Sequence, residues 1–241
     1  VTVVSDDTDV LILLLFYFKH FSQNGLQKLY LQKGRGSNKK MFPIHTMYSN
    51  LGEQFCKTLL KAHLGTGADY LSKIGTKKSG LNANPEVALK EFGEKFTLDE
   101  EQIQEAELYL VQVAASCRST CLAKTFDELR VLTWKRTSTV LELEPTSHSI
   151  IEGHIKRWWF LYKVCSDLLD MDYTHLQPTD FGWVDIEGEL FPCKNLNLLP
   201  DDLFKTCKCK TGCQKKVCSC FKAEGQLKCT DYCLCVNCNN R

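Results

Sequence analysis

The sequence predicts an α/β fold at its start, a mainly helical middle with a short hairpin, and a small cysteine-dense tail. Three observations carry that division. Residues 1–63 read as strand, helix, strand, helix; from Pro85 onward apolar residues recur at helical spacing; and nine of the 14 cysteines crowd between Cys207 and Cys238. The boundaries fall at 1–82, 83–204 and 205–241.

Residues 1–5 read as a buried strand. Asp6 or Thr8 is placed to cap a helix running to about Phe21, although Val10–Leu15 alone has strand character too. Leu26–Gln32 alternates like a second strand and is followed by the polar turn KGRGSNKK. From Ser49 to His63 the apolar positions Leu51, Phe55, Leu59 and Ala62 have helical spacing. Asn84-Pro85 starts another helix, and TLDE at Thr97–Glu100 is a capping box ahead of Ile103, Ala106, Leu110 and Val113. A further helix opens near Ser149. Its Ile151, Ile155, Trp158, Tyr162, Cys165 and Leu169 share one face, which places Trp158 in the core and Trp159 at its rim. VDIEGELF, Val184–Phe191, reads as a hairpin turning at Glu187-Gly188.

With 241 residues, 44% of them hydrophobic, the chain is long enough for an ordinary domain plus a small one. The net charge of +1 is a cancellation. The tail from residue 205 carries Lys205, Lys208, Lys210, Lys215, Lys216, Lys222, Lys228 and Arg241 against Glu224 and Asp231, leaving about −5 for the rest. No signal peptide is visible, and the apolar run Val10–Phe18 is too short to span a bilayer, so a soluble intracellular chain without a membrane partner is expected. It begins at Val1 in what reads as mid-strand, so the N-terminal domain is expected to be truncated, with its upstream part absent.

The tail cysteines are Cys207, Cys209, Cys213, Cys218, Cys220, Cys229, Cys233, Cys235 and Cys238. Nine is odd, and C-x-C pairs are too close for easy mutual disulfides. Tetrahedral thiolate sites suit the pattern better: nine sulfurs satisfy three four-coordinate zinc ions if three of them bridge. With KCKTGC, CSCF and CLCVNCNN, the stretch Thr206–Asn240 resembles the CXC domain of tesmin/TSO1-like proteins. That resemblance implies a three-zinc cluster and DNA binding. Such domains usually carry two repeats and an aromatic residue before the fourth cysteine; here there is one repeat, and Val217 stands there. Phosphate contacts by Lys208, Lys210, Lys215, Lys216 and Lys222 need only charge. A simple staple folding a tail too small for its own core is the competing reading.

Asp6, Asp7 and Asp9 crowd into four positions, where like charges repel unless they are solvated, cap a helix or hold a cation. A helix cap needs only one of them. Further on, AHLGTGADYLSKIGTKKSGL (Ala62–Leu81) breaks at Gly65 and Gly67, presents Asp69, and runs to Gly75, Lys77 and Lys78. Together with SDDTDVL this resembles the C-terminal half of the PIN-like nuclease domain of the flap endonuclease family. The resemblance implies Mg²⁺ ligands at Asp7, Asp9 and Asp69, with Asp6 as acidic neighbour, and duplex phosphate contacts at Gly75, Lys77 and Lys78. The earlier acidic residues of that family have no counterpart in this chain. His63, at the end of its helix, reads as a packed or terminal-charge histidine, and Cys117 and Cys121 as a reduced pair.

A PIN-like core, a middle containing PTSHSIIEGHIKRWW and a terminal CXC element together resemble a group of transposable-element-derived animal proteins. A nuclear DNA-binding protein is therefore expected, with metal-dependent phosphodiesterase chemistry as the alternative for a full-length parent and this chain inactive by itself.

Overall fold

A computed structural model describes residues 1–115, 122–134, 143–167 and 176–193, together with Cys207, Cys209, Cys213, Cys218, Cys220, Cys229, Cys233 and Cys235. The expected cysteine pair Cys117 and Cys121, the ninth tail cysteine Cys238 and the tail lysines lie outside the described residues. The chain divides into two compact units, Val1–Lys194 and Asn195–Arg241. It is a helix-rich mixed fold with small sheets and a cysteine cluster near its C-terminus.

In the first unit β1 (Thr2–Val4) pairs in parallel with β2 (Tyr30–Lys33), which pairs antiparallel with β3 (Lys40–Pro43). The helix α1 (Thr8–Gln23) makes the crossover between the parallel strands. Its N-cap is Asp7, not Asp6 or Thr8: the Asp7 carboxylate accepts the Asp9 N–H at 2.9 Å, satisfying a donor that the first helical turn leaves open. Strand β2 starts four residues later than the alternation predicts. The segment predicted as one helix from Ser49 is two, α2 (Ile44–Leu51) and α3 (Glu53–Gly65), broken at Gly52, whose φ of +83° suits glycine. Val3, Leu31 and Phe42 share one sheet face and pack with Leu15, Phe18, Leu29, Ile44 and Cys56 into a first core.

A second, larger core gathers the helices α4 (Lys77–Asn82), α5 (Pro85–Ala88), α6 (Glu100–Ala114), α7 (Phe126–Trp134), α8 (Ser147–Ile150) and α9 (Lys156–Ser166). The cap of α6 is Asp99 rather than Thr97. Asp99 accepts from the Gln102 backbone at 3.0 Å, while the Gln102 side chain donates to the Thr97 carbonyl. One π-helical turn, Ile151–Ile155, joins α8 to α9. Trp158 and Trp159 are both fully buried, which corrects the rim position expected for Trp159: its ring stacks on Phe181 and its N–H donates to Gln102 at 3.2 Å. The hairpin of β4 (Trp183–Ile186) and β5 (Glu189–Pro192) turns where expected, with Glu187 at φ +56° and Gly188 at +85°, the paired positive angles of a tight two-residue turn. Among the described residues no helix is long and apolar enough to cross a membrane.

Candidate functional site

The parallel register fixes where the aspartates go. Val4 aligns with Gln32, so the carboxyl ends of β1 and β2 lie side by side, and the chain leaves β1 there through Asp6, Asp7 and Asp9. Each carboxylate has a partner of its own. Asp6 accepts the Gly34 N–H at 2.6 Å, Asp7 caps α1, and Asp9 Oδ1 lies 2.5 Å from His63 Nε2 at the end of α3. That last contact ties the start of α1 to the last turn of α3, ahead of the loop bearing Asp69, which is exposed. Within the described residues, no group of three or more metal-capable atoms within 4.8 Å of one another includes these aspartates.

The loop itself is held from behind. Trp158 Nε1 donates to the Lys61 carbonyl at 2.9 Å, His154 Nε2 lies 2.9 Å from the Gly65 carbonyl oxygen, and the Lys77 ammonium donates to the carbonyls of His63 and Gly67. The open carbonyls at the end of α3 are thus closed by side chains from the helical middle and α4. Part of the Lys77 amine is covered where it meets these carbonyls, and burial pushes it below the ordinary lysine range, partly offset by Asp9. Lys78 is exposed. Gly65 lies against Trp158 so closely that an added Cβ would come within 2.5 Å of the indole, so Gly65→Ala is expected to lower the melting temperature by several degrees without changing metal content.

Sequence pattern did not single out His154 or pair His63 with Asp9, because contacts across 89 and 54 residues leave no local periodicity. Burial pushes the His154 imidazole down to about 4, the Gly65 carbonyl working against the shift and Arg157 with it. The folded state therefore refuses a proton that the unfolded chain takes up near the ordinary histidine pKa. Stability is full above that pH and falls as pH drops toward 4, by about 2 kcal/mol between pH 7 and pH 5. Denaturant titrations at the two pH values check this, and His154→Gln is expected to flatten the difference.

In the second unit the described core is sulfur. Seven of its cysteines are buried and Cys209 packs against them, and none is in a disulfide. Cys207 and Cys213 sulfurs are 3.4 Å apart, Cys207 and Cys229 3.8 Å, and Cys213 and Cys229 3.6 Å. Cys218 lies 3.8 Å from Cys229, and Cys220 3.6 Å from Cys233. These spacings are far beyond a disulfide bond of about 2 Å. They match the edge of a zinc–thiolate tetrahedron, about 3.8 Å for bonds of about 2.3 Å. Three overlapping groups of four thiols result: Cys207, Cys220, Cys229, Cys233; Cys207, Cys213, Cys229, Cys235; and Cys207, Cys209, Cys213, Cys218. Burial raises thiol pKa in general, yet the Cys209 N–H and the sulfurs of Cys213, Cys235 and Cys229 hold Cys207 down to about 6, while burial pushes Cys220 up to about 12. Soft, clustered sulfur donors in fours fit zinc.

No protein-family model matches the chain, and no solved structure matches it. A stretch of 42 residues, 17% of the chain, is 52% identical to the protein tesmin/TSO1-like CXC 8 of Arabidopsis thaliana, and it spans 11% of that protein's length. That likeness and the thiol cluster support a CXC-type, zinc-suited cysteine domain in this chain.

Proposed function

We propose that this protein holds duplex DNA in the nucleus through a three-zinc tail, residues 205–241, joined through the helical region 83–204 to a PIN-like core, residues 1–82, of transposable-element origin. The observation that carries this reading is the overlap of the four-thiol groups. Cys207 recurs in all three groups and Cys213 and Cys229 in two each, and the three lie within 3.8 Å of one another, which supports these three as the bridging sulfurs. Cys209, Cys218, Cys220, Cys233, Cys235 and Cys238 are then terminal, and twelve zinc–sulfur bonds close on three ions. The sequence around the ligands supplies the cations Lys208, Lys210, Lys215, Lys216 and Lys222 for backbone phosphate.

The test is charge reversal outside the ligand set. Changing Lys208, Lys210, Lys215 and Lys216 to Glu is expected to weaken duplex binding and to lower the slope of log affinity against log salt by about 3 to 4, with zinc content unchanged. Unchanged binding would reduce the tail to a staple.

One observation favours a second reading, metal-dependent phosphodiester cleavage in a full-length parent. The His63–Asp9 contact ties the helix start bearing Asp7 and Asp9 to the last turn of α3, the helix that precedes the loop bearing Asp69. Hard carboxylate oxygens at the carboxyl end of a parallel strand pair suit Mg²⁺. Cleavage of a flap substrate would then be lost in Asp69→Asn; cleavage that survives this change removes the assignment.

A further inference from the structure

We propose that the β2–β3 hairpin is a second nucleic-acid contact, separate from the tail, which grips the phosphate backbone of duplex DNA next to the aspartates. The charge distribution is one-sided. From Val10 to Gly52 the chain contains no Asp or Glu, yet this stretch carries Lys19, Lys28, Lys33, Arg35, Lys39 and Lys40. Lys19 is neutralised by Glu53 at 2.8 Å, whereas the other five have no carboxylate partner among the described residues. Four of these five lie within the eight residues 33–40, at the hairpin tip.

The backbone builds this tip firmly. Gly34 and Gly36 take φ of +83° and +56°, a 3-10 turn spans Gly36–Asn38, and a Cβ at Gly34 would run into the Asn38 carbonyl. Lys33 stands directly opposite Lys40 in the antiparallel register. Like charges placed directly across a strand pair are destabilising, so the pair is a cost to the free protein that a bound polyanion removes. Arg35, Lys39 and Lys40 are exposed.

The hairpin also has a fixed position relative to the carboxylates. The Gly34 N–H bonds Asp6 Oδ1 at 2.6 Å, and Lys33 lies one residue beyond Gln32, the partner of Val4. Cations and aspartates therefore share the carboxyl end of the parallel pair. A duplex gripped by Lys33, Arg35, Lys39 and Lys40 passes beside Asp6, Asp7 and Asp9, an arrangement that holds whether the tail grips DNA or only staples itself.

The experiment uses the full chain with Lys208, Lys210, Lys215 and Lys216 changed to Glu, so that the tail does not mask the hairpin. A random-sequence duplex is titrated across about 50 to 200 mM salt, with and without Lys33→Gln, Arg35→Gln, Lys39→Gln and Lys40→Gln. The expected result is residual binding at low salt in the parent. The hairpin changes lower its salt slope by about 3 to 4 and its affinity at about 50 mM by tenfold or more. Absence of residual binding, or an equal slope and affinity in both proteins, overturns the proposal. Binding undiminished by the tail changes refutes the tail reading instead and leaves the hairpin standing. Lys40→Glu alone separates ligand binding from folding: it turns a repulsive pair into an attractive one, so the protein melts no lower while DNA affinity falls. A fall in both overturns the assignment.

Discussion

Replacing Cys207 by Ser is expected to remove more than one zinc ion per chain and to abolish DNA binding by the tail, whereas Cys209→Ser costs a single ion and leaves partial binding. The difference lies in connectivity. Cys207 belongs to all three four-thiol groups and contacts two other shared sulfurs, while Cys209 belongs to one group. A structural zinc ion in a small domain contributes about 10 to 16 kcal/mol of apparent binding energy, and on the proposed three-zinc reading that energy folds a tail whose described core consists only of sulfur. Metal analysis of the two variants beside the parent checks the ranking. Equal losses would mean that Cys207 does not bridge.

The second large effect is expected at Trp158. Trp158→Ala removes a fully buried indole that packs on Phe92 at 4.2 Å between ring centres and leaves the Lys61 carbonyl without its donor. The lost burial and the cavity cost about 3 to 5 kcal/mol, and the orphaned carbonyl about 1 to 3 more. That sum rivals the whole stability of an ordinary domain. The first unit is therefore expected to lose its cooperative melt at physiological temperature, while the zinc content of the second is retained. A cooperative melt lowered by less than about 1 kcal/mol would show that Trp158 does not organise this core.

What could be read from sequence divides along the range of the interactions. The cysteine spacing signalled a metal tail because ligand number and spacing are local properties. The hairpin turn at Glu187-Gly188 was legible for the same reason, since two positive φ angles leave a short signature. Trp159 was misplaced because its hydrogen bond to Gln102 and its stacking on Phe181 come from distant segments that no helical period records. The break at Gly52 was hidden by apolar positions that kept their spacing across it. Lys77 was legible as a cation beside this loop; its bonds to the carbonyls of His63 and Gly67, 14 and 10 residues away, were not. The aspartates were legible as a cluster; their separate partners, Gly34, the helix start and His63, were not.

The most direct measurement is the mass of the intact, natively sprayed chain before and after mild acidification. Three zinc ions per chain are predicted at neutral pH, released together with proton uptake by the thiolates, with no loss of about 2 Da per cysteine pair. One zinc ion or none, or a mass lowered by disulfide formation among the tail cysteines, would contradict the account.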